Sequence, residues 1–268
     1  MLAKQEYGPI TIFRTGRNIG KTVFYYVHCF LVDNILIDTS TTYVGQELLA
    51  ALQNQPVSSI INTHHHEDHT GNNLLLQQAL GVKIYAHPLA IPLMSKPQEG
   101  RQKFYLRFLW NYPQPSHGIP INDVFENDNY LFNIIHTPGH SPDHICVYDP
   151  KHKWLFSGDL FCGERVKNLR QDENFHEILT SLQQLANFDI DTIFCSVSGI
   201  IPNGNQALGR KITFMEDLKS KVQTLNRKGK SPVAIRRQLL GRENYMYWLS
   251  NGHFSKQNLV DSILELSH

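Results

Sequence analysis

Residues 62 to 72 read NTHHHEDHTGN, a stretch that packs four histidines and two carboxylates into the interval from His64 to His69. Imidazole and carboxylate are the groups that hold Zn(II), Fe(II) or Mn(II), so the chemistry on offer is metal binding. The apolar run VSSIINT precedes the cluster and reads as a buried strand, with the cluster in the loop at its C-terminal end and a helix starting near Gly71. In an extended segment His64, His66 and Asp68 share a face, His69 turns across to a second position, and His65 and Glu67 face away. A histidine-rich surface loop with adventitious metal affinity is the competing explanation.

Two later segments weigh against that alternative. His140 lies in HTPGHSPDH, a Pro-Gly turn after the run YLFNII, and Asp159 lies in FSGDLF, directly after KWLF. Each is again a candidate ligand in a loop at a strand end. Taken singly, the histidine reads as a hydrogen-bonded turn residue and the aspartate as an Asx-turn carboxylate. His144, four residues after His140, reads as the first residue of the strand HICVYD and is left out of the ligand set.

The elements that must carry these loops are visible as β-branched and apolar runs: ITIF, VFYYVHCFLV, NILIDT, VKIYAH, HICVYDP and DTIFCSV join those above. Helical patterns separate some of them, in TYVGQELLAALQNQ, in GNNLLLQQALG with Gly81 as its C-cap, and in NFHEILTSLQQLANF. Such alternation predicts a layered α/β or α+β body of two sheets flanked by helices. After Gly204 the pattern is helical, with SPVAIRRQLLG framed by a Ser-Pro start and a Gly241 stop. The expected division is a body over residues 1–205 and a helical appendage over 206–268, too small to fold readily alone and therefore packed on the body.

At 268 residues with 41% hydrophobic and 18% charged side chains, the chain can bury a substantial core. No apolar run reaches the length of a membrane span, and the N-terminus lacks the layout of an export signal. Cys29, Cys146, Cys162 and Cys195 are scattered in apolar segments, which fits reduced, buried thiols and a cytoplasmic address. Charge is uneven: 14 Lys/Arg face 19 Asp/Glu over residues 1–205, against 11 and 5 beyond. A basic tail reads either as a solvated helical face or as a surface that meets anions. Residues 94–120 mix aromatics, arginines and prolines and read either as surface helix and loop or as a wall over a site, with Phe104, Tyr105, Phe108 and Trp110 as pocket or packing aromatics.

In order and spacing, His64-x-His66-x-Asp68-His69, His140 in TPGHS and Asp159 in SGD resemble the successive metal motifs of the metallo-β-lactamase superfamily. The resemblance covers residues from about 10 to 205 and implies an αββα sandwich with metal at one edge between the sheets. It further implies that His64, His66 and His140 bind one metal, that Asp68 and His69 bind a second, and that Asp159 bridges them. Two such ions share a hydroxide, lower its pKa and stabilise the oxyanion formed on attack. Zinc is the expected metal, with iron or manganese compatible.

One element of the family pattern is missing. The loop after DTIF, where a Gly-His-Gly commonly supplies a further histidine, reads CSVSGIIPNG and places Ser198 at that position. Serine lacks the basicity of imidazole, so the second metal is expected to be weak or absent unless Cys195, Glu164 or His253 compensates. The resemblance implies a hydrolase of a small ester, thioester or lactone, nearer to glyoxalase II and lactonases than to secreted β-lactamases, with Asp68 accepting a proton from the nucleophile. The basic tail leaves an RNA-cleaving phosphodiesterase as an alternative, and the missing histidine leaves a degenerate binding protein or a mononuclear iron enzyme acting on a persulfide.

Overall fold

The computed structural model describes residues 1–20, 22–96 and 103–266. The first sheet is built in chain order from β1 (Leu2–Tyr7), β2 (Ile10–Ile19), β3 (Thr22–Val32), β4 (Ile35–Ile37), β5 (Ser59–Ile61), β6 (Lys83–Ala86) and β7 (Gly118–Pro120), antiparallel up to β4 and parallel from β4 to β7. The second sheet comprises β8 (Val124–Glu126), β9 (Leu131–His136), β10 (Ile145–Asp149), β11 (Trp154–Phe156), β13 (Thr192–Cys195) and β14 (Gly199–Pro202), in the order β14-β13-β11-β10-β9-β8. A separate pair joins β12 (Leu169–Arg170) to β15 (Phe254–Ser255).

Strand periodicity explains how these sheets stack. In β3, Phe30 and Val32 enter the core between the sheets while Cys29 and Leu31 enter the layer behind the first sheet. In β10, Ile145 and Val147 meet that same central core, and Cys146 and Tyr148 turn to the layer behind the second sheet. Because both faces are covered, these strands read as continuous apolar runs. The outer layer on the first sheet is α1 (Gly45–Leu52), α2 (Glu67–Thr70), α3 (Asn73–Leu80) and α4 (Ala90–Ser95), with α5 (Phe104–Leu109) following. On the second it is α6 (Phe175–Leu185), α7 (Gly204–Arg227), α8 (Pro232–Leu240), α9 (Tyr245–Leu249) and α10 (Lys256–Ile263). The result is the expected αββα sandwich.

Several details differ from the expectation. The polar opening of the chain is itself strand β1, because Leu2 to Tyr7 pair with Thr15 to Ile10 and leave polar side chains at the surface. The C-terminal segment is not wholly helical: β15 adds to β12, and Ala207, Met215, Ile235, Leu259 and Ile263 share one core with Leu155 and Ile193 of the second sheet. Within 94–120, residues 97–102 lie outside the described residues, Phe104 is 78% exposed, and Tyr105 and Trp110 are buried against Phe254 and Met246. Gly81 closes α3 in the left-handed conformation, with φ +68°. Of the four cysteines only Cys29, Cys146 and Cys195 are buried, and Cys162 is exposed.

The turn that delivers His140 depends on Gly139. Its φ is +127°, and a Cβ there would stand 2.4 Å from Ile178 N of α6. Gly139→Ala is therefore expected to cost about 2–4 kcal/mol of stability, measured by urea unfolding. A loss below about 0.5 kcal/mol, the scatter of neutral surface changes, would mean the turn and α6 separate freely.

Candidate metal centre

Every sequence-predicted ligand lies where strand ends from both sheets meet. His64, His66, Asp68 and His69 follow β5, His140 follows β9, and Asp159 follows β11. The alternation expected from an extended segment holds only through His66, which is the extended N-cap of α2 with ψ 158°. Asp68 and His69 reach the site because the chain has turned helical. His65 leaves the cluster to pair with Asp143, Nδ1 to Oδ1 2.8 Å, and Glu67 lines a neighbouring groove with it.

Ligand atoms of His64, His66 and His140 fall within 4.8 Å of one another, and so do those of His64, His69 and Asp159. His140 Nε2 lies 3.0 Å from His66 Nδ1. His64 Nε2, His69 Nε2 and Asp159 Oδ1 are buried without a hydrogen-bond partner among the described residues. Buried polar atoms without partners are rare and costly, and here they point at one spot. Burial holds His64 and His66 well below the ordinary histidine range, reinforced at His64 by the neighbouring imidazoles and at His66 by Arg170 and then the imidazoles, hence neutral with lone pairs to offer. These residues fit a divalent cation. Asp68 stands at the margin, with Oδ1 3.8 Å from His69 Nε2 and Oδ2 accepting the Tyr25 hydroxyl at 3.0 Å.

The opposite ring nitrogens are held by groups that sequence reasoning missed. Asp38 Oδ2 accepts from His69 Nδ1 at 2.7 Å and from the Thr63 hydroxyl at 2.8 Å, and that hydroxyl accepts from His64 Nδ1 at 3.0 Å. Glu173 Oε1 accepts from His140 Nδ1 at 2.5 Å, while its Oε2 takes the Arg170 amide at 2.6 Å. Burial opposes a charge on His69, but Asp38, Asp159 and Asp68 outweigh it and raise its pKa well above the usual value. His144 is buried and held neutral by that burial, its pKa pushed down to about 3. Its Nε2 accepts the Asp159 amide at 3.2 Å, so it fixes the loop that carries the aspartate. Asp38 and Glu173 left no local signal, since each lies far in sequence from the histidine it orients.

The loop after β13 corrects one expectation. Ser198 is exposed, and Val197 is the residue that lines the cavity beside the cluster. The named substitutes are engaged elsewhere. Cys195 belongs to the core behind the second sheet. Glu164 pairs with Arg210, Oε1 to Nη2 2.6 Å, and His253 pairs with Asp172, Nε2 to Oδ1 3.4 Å.

Comparison with known proteins agrees with this fold. The family model of the metallo-beta-lactamase superfamily matches residues 22–197. A hydroxyacylglutathione hydrolase of Bdellovibrio bacteriovorus is 28% identical over 52% of this chain and 49% of its own length. The atrochrysone carboxyl ACP thioesterase AacuM of Aspergillus aculeatus is 24% identical over 68% of this chain and 55% of its own. The chain thus spans about half the length of these curated relatives. A beta-lactamase domain protein from Burkholderia ambifaria superposes with a TM-score of 0.72 at 15% identity, covering 98% of this chain and 87% of that one. Among the described residues no helix is long and apolar enough to cross a membrane.

Asp38→Ala is expected to weaken zinc binding about 10- to 100-fold, read by competition with a chromogenic chelator while the far-ultraviolet circular dichroism stays unchanged. Unaltered affinity would show that the Asp38 contacts serve packing alone.

Proposed function

Since the chain belongs to the metallo-beta-lactamase superfamily, we propose that it is a metal-dependent hydrolase of a small thioester or related ester or lactone. The observation that carries this reading is the set of buried, unpartnered atoms at His64 Nε2, His69 Nε2 and Asp159 Oδ1 beside the facing nitrogens of His66 and His140. The hydrolase and thioesterase named above point to thioesters as the first substrates to try.

His64, His66 and His140 would hold the better-bound metal, zinc by preference with iron or manganese compatible. His69, Asp159 and Asp68 would form a weaker second position, because Val197 rather than a histidine faces the cavity there. A divalent cation so held supplies Lewis acidity and a water that ionises near neutral pH. The chain's own residues do the rest. Asp68 Oδ2 is occupied by Tyr25, which leaves Oδ1 to accept a proton. Asp38, Thr63 and Glu173 keep the imidazoles turned inward. Leu109, Trp110, Met246 and Phe254 wall the cavity and exclude water. Free thiols throughout support a reducing compartment such as the cytoplasm.

Chelator-treated, remetallated protein is expected to hold one tight equivalent per chain by elemental analysis and a second more weakly. Two tight equivalents would refute the weak second position. In a panel of thioesters, esters and lactones, Asp68→Ala is expected to lower kcat by about 100-fold or more. Absence of metal-dependent turnover across the panel would end the hydrolase reading.

A further inference from the structure

Two buried basic side chains line the metal-facing cavity beside the cluster. Lys211 of α7 is 4% exposed and Arg170 of β12 is 8% exposed. Both line the cavity of about 350 Å³ that also contains His66, Asp68, His140 and Asp159. Among the described residues no carboxylate forms an ion pair with Lys211, whose Nζ donates to Leu160 O at 3.0 Å. An ammonium carries three donors, so two remain. Burial lowers its pKa, opposed only through space by Cys162, Cys195, Glu173 and Asp159; the Phe161 ring lies 5.4 Å from Nζ, and the two carboxylates are engaged elsewhere, at His140 and at the cluster.

Arg170 directs Nε and Nη2 to Asp172, each at 3.0 Å. Its Nη1 has His66 Nδ1 for a neighbour at 3.3 Å. With that lone pair engaged by a cation, Nη1 would keep no acceptor among the described residues. Asp172 is in turn met by His253, which is hydrogen-bonded to the Tyr105 hydroxyl, so the C-terminal segment and α5 together fix the guanidinium. Arg170 is paired with Asp172, but burying the Lys211 ammonium with no carboxylate partner among the described residues is unfavourable, and an incoming anion removes that cost. The rest of the lining mixes the apolar Leu109, Val197, Met246 and Phe254 with the exposed Arg165 and Lys167.

We propose that the cavity selects acyl substrates that combine an apolar body with an anionic group, a carboxylate or a phosphate, received by Lys211 and Arg170. The proposal rests on the hydrolase reading of the same site. It is tested by calorimetric titration of the zinc-loaded full chain with heptanoate, hexylphosphonate and 1-hexanol, probes that share one alkyl chain. Both anions are expected to bind at least about tenfold more tightly than the alcohol, an energy difference of one tenfold step in Kd. A further gain for the phosphonate assigns a phosphate, and equal gains assign a carboxylate. Lys211→Met is expected to remove at least about four-fifths of that preference with 1-hexanol affinity unchanged, as is Arg170→Gln, whereas Lys211→Arg retains it. Equal binding of anion and alcohol overturns the proposal. So does a preference that survives both neutralising variants, since the anion is then held by the metal or by the exposed Arg165 and Lys167. Zinc content and thioester turnover are measured on the same samples, so failure of the hydrolase reading registers there and failure of anion selection registers in the titration.

Discussion

Asp38 is the contact on which the centre depends. Its carboxylate sits just past β4, with φ +60°, and accepts the Thr63 amide, the Thr63 hydroxyl and His69 Nδ1 at 2.7 to 2.8 Å. A buried carboxylate is tolerable only when its lone pairs are satisfied. Meeting that requirement ties the end of β4 to the loop after β5 and sets which nitrogen of each ring carries a proton. Inward, His64 Nε2 and His69 Nε2 are left with no hydrogen-bond partner among the described residues. An arrangement that is poor as a stability device is good as a cation receptor, because the missing partner is supplied on binding.

Glu173 and His144 repeat the device from the other sheet. Glu173 orients His140 and accepts the Arg170 amide, and His144 receives the Asp159 amide. Each inward-facing group is thus held by an outer group on a different segment. Gly158 belongs to the same economy of space: a Cβ on it would stand 2.6 Å from His144 Nε2 and 3.0 Å from Thr63. The loops of the two sheets are packed closely around the centre.

The C-terminal helices extend this logic from the metal position to the cavity around it. Lys211 comes from α7, Met246 from α9 and Phe254 from β15, while β15 pairs with β12 and so places Arg170. Tyr105 and Trp110 of the segment around α5 close the wall by packing on Phe254 and Met246. A region whose composition read as a basic helical appendage therefore builds part of the site and shares the core behind the second sheet.

Strand runs, helix patterns and the histidine motif were all legible in the chain because they are local: period-two burial, capping by Gly81 and ligand spacing involve neighbours in sequence. His64, His66, His69, His140 and Asp159 could be picked from three short segments for the same reason. Asp38, Tyr25, Glu173 and His144 could not, since an isolated aspartate or tyrosine carries no mark of the ring or carboxylate it will meet across the sandwich. Val197 in place of Ser198 was hidden too, because which side chain of a turn faces inward depends on backbone direction. By itself the sequence determined the two-sheet architecture and the chemical type of the centre. The tertiary structure alone decided which nitrogen of each histidine is free, how Asp68 is held, and that buried Lys211 and Arg170 face the same cavity, because each of these is a contact between segments set by packing rather than by spacing along the chain.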